Sequence, residues 1–189
     1  MSSGGFIGSG ERMSFETVLA SERIYEGRIL NLRVDQIRTP QGVEALREIV
    51  ENGGAVAVVA VDDQQRVVLV KQYRHAVRAV VTEIPAGKLD GDEDPLEGAQ
   101  RELREETGFS AGRWQSLSNI FPSPAWSTEY ISLYLATELI PGLTAMDADE
   151  TIELVMLPFT EAIDLVRSGA ITDAKTVAAL LLAHVALNS

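Results

Sequence analysis

The sequence predicts an α/β (α+β) fold, a mixed sheet sandwiched between helices, and three observations carry that expectation. The run AVAVVAV, Ala55 to Val61, is unbroken and apolar, as in a strand buried on both faces. Strand-like and helix-like stretches follow one another in mixed order, which indicates helices covering a mixed sheet. No internal repeat or low-complexity linker interrupts them.

Taken in order, MSSGGFIGSG has neither a basic start nor an apolar stretch, so residues 1–14 are expected to be a disordered tail and not a secretory signal. Residues 15–52 form a strand-rich subregion. There ILNLRVDQI alternates apolar and polar side chains, TPQG supplies a turn, and VEALREIV resumes the extended pattern. Asn52-Gly53-Gly54 breaks it, and residues 53–189 form the main domain. After AVAVVAV come the polar turn DDQQR and the strands VVLVKQYR and AVVTEI, the last ending at Pro85. An acidic helix follows, then a loop with FPSPAW, a strand in EYISLYLA, an acidic loop around AMDADE and a strand in TIELVML. Two helices close the chain. Thr160 to Arg167 has a cap and stops at Gly169, while Asp173 to Leu187 carries Val177, Leu180, Leu181, His184 and Val185 at helical spacing.

At 189 residues, with 46% hydrophobic and 23% charged, the chain is long enough to bury a substantial core without an external staple. No apolar run approaches the roughly 20 residues that a membrane span requires. A net charge of −12 argues against nonspecific binding to nucleic acid or anionic membrane, since both need basic residues to neutralise phosphates. Zero cysteines exclude disulfides and thiolate metal sites and fit a reducing cytosol, so a cytoplasmic protein is expected.

Gly87 to Phe109, GKLDGDEDPLEGAQRELREETGF, holds eight acidic residues against three basic ones, although a helix there forces carboxylates onto neighbouring turns. Asp94 can cap that helix, Pro95 suits its first position, Glu97 can complete a capping box, and Gly108 stops it. At about 100° per residue, Glu102 and Glu106 stand one above the other with Glu105 beside them. Like charges four apart cost only about 0.2 to 0.5 kcal/mol, so a solvated acidic face paired with Arg101 and Arg104 is compatible with the pattern. So is a cation site, because hard cations such as Mg²⁺ take carboxylate, carbonyl and water oxygens and Pro85-Ala86-Gly87 can turn a carbonyl toward the glutamates.

Gly87, five residues, Glu93, seven residues, then Arg101-Glu102-Leu103-Arg104-Glu105-Glu106-Thr107-Gly108-Phe109 fits every fixed position of the box that defines the Nudix hydrolases, which this chain resembles. The resemblance implies the family's sandwich fold and Mg²⁺-dependent hydrolysis of a nucleoside diphosphate linked to another group, with Mn²⁺ or another divalent cation as alternatives. It implies metal binding by Glu102, Glu106 and the Ala86 carbonyl. Glu105 ligates or assists catalysis, Arg101 orients the carboxylates, and Glu93 shapes the loop. The family's general base comes from an acidic loop, which points to Glu150, with Asp149 and Asp147 as alternatives.

Features outside the box resemble the ADP-ribose pyrophosphatase branch: Leu46-Arg47-Glu48-Ile49-Val50, Gln72-Tyr73-Arg74, Glu83-Ile84-Pro85-Ala86-Gly87, and Pro122-Ser123-Pro124 with Glu129. This similarity implies cleavage of ADP-ribose to AMP and ribose 5-phosphate, with substrate contacts from Arg47, Glu48, Arg74 and Lys88, and from the Ser123-Pro124-Ala125 loop and Glu129 reaching it across from the partner subunit. Glu83 either binds the ribose side or caps its strand. Ala125, followed by Trp126, stands where the branch usually has Gly, which alters the expected loop geometry. Tyr25, Arg28 and Ile29 are candidates beside the base; His75 can reach phosphate or be structural, and His184 is expected to pack. A homodimer joined through residues 15–52 is implied by the same likeness. Alternatives are another nucleotide-sugar substrate such as a GDP- or ADP-hexose, a catalytically silent Nudix ligand sensor, and an acidic cation-binding scaffold.

Overall fold

The structure, a computed structural model, describes residues 15–143 and 152–188. The chain divides into two compact units, Met1–Glu51 and Asn52–Ser189. In the first, β1 (Thr17–Glu26), β2 (Asn31–Arg38) and β3 (Glu44–Glu51) make an antiparallel sheet in sequence order. Gly42, at φ +82°, supplies the left-handed residue of the β2–β3 turn. Every residue of β1 is exposed.

The second unit is built on β4 (Gly54–Val61), β5 (Arg66–Arg74), β6 (Ala79–Glu83), β7 (Ala86–Lys88), α1 (Pro95–Thr107), β8 (Phe109–Ile120), β9 (Tyr130–Pro141), β10 (Ile152–Pro158), α2 (Phe159–Ser168) and α3 (Ala174–Leu187). Its sheet runs β10-β5-β4-β9-β8, with β4 and β9 parallel and the remaining pairs antiparallel. The mixed sheet and its flanking helices agree with the sandwich expected from the sequence. β4 alternates between two cores. Ala55, Ala57, Val59 and Val61 face α2 and α3, whereas Val56, Val58 and Ala60 face Ala99 and Leu103 of α1. Burial on both sides is the reason the strand is apolar throughout.

One break in this sheet makes room for a site. β4 and β5 pair only at Ala60 with Val68 and Val61 with Val67. Beyond that point β5 continues with β6 and β4 with β7, and the β6–β7 link is held across the gap by the Val58 amide donating to the Pro85 carbonyl at 2.9 Å.

The caps differ from expectation in two places. Asp94 accepts from the Leu96 and Glu97 amides, and Gly108 ends α1 at φ +75°, but among the described residues no bond from Glu97 closes a capping box. The box-like reciprocal bond lies one turn earlier, where the Asp90 amide donates to Glu93. The N-cap of α2 is Pro158, which makes no side-chain cap, while Gly169 is the stop expected. β8 has no counterpart in the sequence reading. Phe109, Ala111 and Trp114 pack on one core and, beyond a register shift between Ser116 and Ser118, Leu117 and Ile120 pack on the other, so no single face repeats with a period of two.

Leu103 is fully buried where α1 meets β4. Leu103→Ala is expected to destabilise the second unit by about 2 to 5 kcal/mol, read as a lowered midpoint in urea unfolding.

Candidate metal and phosphate site

Helix α1 meets β7 through its acidic face. The Ala86 amide donates to Glu106 Oε2 at 3.1 Å, and Glu106 is only 7% exposed. A Cβ built on Gly87 would lie 2.0 Å from the Glu102 carboxylate, so only glycine lets that carboxylate lie against the strand. Arg101 gathers the rest. Its Nη1 donates to Glu102 Oε1 at 2.7 Å and Glu105 Oε2 at 3.1 Å, its Nε and Nη2 grip Glu93 at 3.0 and 2.9 Å, and Nη2 also reaches the Lys88 carbonyl at 2.9 Å. Hydrogen bonds from Arg101, helped by the Asp90 amide, draw the Glu93 carboxyl down to about 2. The same Glu93 contact raises the Arg101 pKa above its ordinary value. Glu93 therefore organises the loop through Arg101.

By donor type this cluster suits a hard cation: three carboxylates on one helix face, and a strand backbone brought close by Gly87. Among the described residues no three acidic or histidine side chains converge on a single point where an ion would sit. Arg101 pairs with Glu102 and Glu105, while the Ala86 amide bonds Glu106. A cation would take those carboxylates over.

Beside the cluster lies a cavity of about 300 Å³ whose wall includes Ala86, Gly87, Lys88, Arg74, Glu129 and Lys175. Asn52 ties two of these together: its Oδ1 accepts from Lys88 Nζ at 3.1 Å and its Nδ2 donates to Glu129 Oε1 at 3.4 Å. Its backbone exchanges two bonds with the Thr128 hydroxyl, fixing the end of the loop that carries Ser123. Arg74 is gripped by the buried Glu83, at 2.7 Å to Nε and 2.8 Å to Nη2.

Members of one family share this box. A profile described as the NUDIX domain matches residues 51–180, and one described as the nucleoside diphosphate sugar hydrolase N-terminal domain matches residues 16–50. The chain belongs to the Nudix family. It is 38% identical over 167 residues to the ADP-ribose pyrophosphatase of Bacillus subtilis (strain 168), covering 87% of this chain and 90% of that one. It is 41% identical over 175 residues to the ADP-ribose pyrophosphatase of Mycobacterium tuberculosis (strain ATCC 25618 / H37Rv), covering 90% and 83%. A solved structure titled as an ADP compounds hydrolase superposes with a TM-score of 0.86 at 24% identity, over 95% of this chain and 97% of that one, and shares the Nudix fold. Nudix hydrolases generally need divalent metal ions.

The second unit thus brings together Ala86, Glu102, Glu105 and Glu106 around β7, and Arg74, Lys88 and Glu129 around the adjacent cavity. Ser123 is half-buried; its carbonyl accepts the Trp126 and Ser127 amides in a turn, on which Pro124, Ala125 and Trp126 are exposed. Positive φ among described non-glycine residues is confined to Gln65, Arg78 and Glu138, so the loop places no left-handed demand on Ala125, and alanine fits where the branch usually has glycine. Arg47 and Glu48 lie in the first unit on β3, where Arg47 pairs with Glu16; Arg28, Ile29 and Tyr25 are in or beside its β1–β2 connection. Asp147, Asp149 and Glu150 lie outside the described residues. His75 lies edge-on to Tyr73; His184 stacks on Phe159 at 15° but is exposed, as are Leu181 and Val185, because α3 buries Thr176, Ala179, Leu180 and Ala183 instead. The sequence missed Asn52, Lys175 and Asp173. The only signal was the cap at Asp173, and a cap does not tell which distant strand the helix will meet.

Gly87→Ala is expected to push Glu102 off the strand and weaken Mn²⁺ binding by at least about 10-fold, measured by electron paramagnetic resonance titration of the folded protein.

Proposed function

We propose that the chain hydrolyses the pyrophosphate bond of ADP-ribose, giving AMP and ribose 5-phosphate, with Mg²⁺ as its cation. The observation that carries this is an acidic helix face set against the short strand β7, which with the cations Arg74 and Lys88 also walls a cavity, in a Nudix chain whose relatives include two ADP-ribose pyrophosphatases. Glu102, Glu105, Glu106 and the Ala86 carbonyl would hold the cation. When bound, a divalent ion supplies charge neutralisation on the diphosphate and a water of lowered pKa.

The chain's own residues do the rest. Arg101 keeps Glu102 and Glu105 on the α1 face beside β7, and would release their oxygens to the cation on binding. Arg74, with its planar fork of donors, binds phosphate oxygens, and Lys88 adds a second positive charge at the same wall. Glu129 and the Ser123-Pro124-Ala125 loop, fixed through Asn52 and Thr128, set the side on which the sugar lies. Arg47, Glu48, Arg28 and Glu150 complete this assignment as further substrate contacts and, for Glu150, the general base. A solvated acidic scaffold is disfavoured by Glu106, because a carboxyl 7% exposed and bonded to a strand amide is not a wet surface group.

A homodimer through residues 15–52 is the reading that the strand-rich first unit supports. A three-stranded sheet with β1 exposed along its whole length, including Val18, Ile24 and Tyr25 at 52 to 58%, leaves apolar surface that a second copy would cover. Light scattering is expected to give about twice the 20.5 kDa chain mass, and a mass equal to one chain would remove the dimer.

Incubation with Mg²⁺ and a panel of ADP-ribose, ADP-hexose and GDP-hexose, with products resolved by chromatography, should show the highest kcat/KM for ADP-ribose. A preference for a hexose moves the substrate assignment, and binding without product supports a silent sensor. Glu106→Gln should lower kcat on the order of 100-fold while staying folded. Retained turnover would remove Glu106 from the metal role.

A further inference from the structure

Glu83 ends β6 and is 2% exposed, yet it carries a charge. Its Oε1 accepts Arg74 Nε at 2.7 Å and its Oε2 accepts Nη2 at 2.8 Å. Lys175, in the first turn of α3, donates to the same Oε2 and to Asp173 Oδ2 at 3.0 Å. Asp173 Oδ2 also accepts the amide and hydroxyl of Thr176, at 2.9 and 2.6 Å, and the Thr176 oxygen accepts the Ile84 amide at 3.0 Å. The bonds close a ring from β6 to α3 and back to the residue after Glu83. Burial pushes the Glu83 carboxyl up, but Arg74 and Lys175 outweigh it and hold it below its ordinary value.

Two cations and two carboxylates leave this cluster formally neutral, so it has no surplus charge with which to attract an anion. What it supplies is direction. Glu83 occupies two of the five N–H donors of Arg74, which fixes the plane of the guanidinium and leaves the others for a second acceptor. Arg74 lines the cavity over Ala86 and Gly87, whereas Glu83 has almost no surface to offer a ligand.

We propose that Glu83 is a positioning residue: its buried carboxylate aims the Arg74 guanidinium at the diphosphate, and the first turn of α3, through Lys175, Asp173 and Thr176, holds that carboxylate in place. This replaces both roles the sequence suggested for Glu83, ribose contact and strand cap. It rests on Arg74 being a phosphate ligand in the proposed reaction.

Two measurements test it. In the free protein with ¹⁵N-labelled arginine, the Arg74 Nε–H signal, assigned by its loss in Arg74→Ala, is expected to exchange with water more slowly than those of exposed arginines. Exchange as fast as theirs overturns the proposal without recourse to any Glu83 variant. Kinetically, Glu83→Gln should lower kcat/KM for ADP-ribose by about 10-fold, chiefly through KM, since misaimed binding groups weaken substrate capture. Loss of folded protein alone would leave KM unchanged. In an Arg74→Ala background the same substitution should cost less than about twofold, because Glu83 then has nothing to aim. Equal losses in both backgrounds overturn the positioning role. If Arg74→Ala leaves kcat/KM unchanged although the Arg74 Nε–H of the unsubstituted protein is protected, Arg74 is not a phosphate ligand, and the proposal falls together with that assignment.

Discussion

Contact between the acidic face of α1 and the short strand β7 is the constraint on which the rest of the second unit depends. Glu106 takes the Ala86 amide, Glu102 lies where Gly87 lacks a Cβ, and Arg101 reaches the Lys88 carbonyl. None of these is an efficient way to stabilise a helix. Exposed ion pairs contribute at most about 1 kcal/mol, and burying a carboxyl has a cost that only good partners offset. An apolar face would pack α1 more cheaply, as Ala99 and Leu103 already do on the same helix.

The sheet provides the opening that this contact needs. Where β4 and β5 part, β6 and β7 take over their free edges and the chain crosses between them at Glu83 to Ala86. The crossover brings the buried carboxylate of Glu83, the backbone of Ala86 and a glycine within five residues. On one side stands α1 with its glutamates; on the other stands the first turn of α3 with Lys175. Both helices pack on opposite faces of β4, so the two halves of the site are held by separate cores around a common strand.

Much of this was legible in the sequence. Continuous apolar character gave β4 away, Asp94, Pro95 and Gly108 bounded α1, and the spacing of Glu102, Glu105 and Glu106 put them on one helix face. Local physics controls each of those features. Long-range pairing was not legible. Asn52 joins Lys88 and Glu129 from distances of 36 and 77 residues, and Lys175 meets Glu83 from 92 residues away, which no local pattern encodes. β8 escaped because its irregular pairing destroys the alternation by which strands are found. Arg101 was legible as an orienting residue, but its reach to Glu93 and the Lys88 carbonyl emerged only with the fold.

Under the proposed function, a divalent ion would draw Glu102 away from Arg101, its partner in this structure, and would be held by Glu102, Glu106 and the Ala86 carbonyl. The direct test is anomalous diffraction from crystals soaked in Mn²⁺ and an ADP-ribose analogue whose bridging oxygen is replaced by methylene. Anomalous peaks between the carboxylates of Glu102 and Glu106, the Ala86 carbonyl and the analogue's phosphates are predicted. Bound analogue with both glutamates empty, and Glu102 still on Arg101, would contradict it.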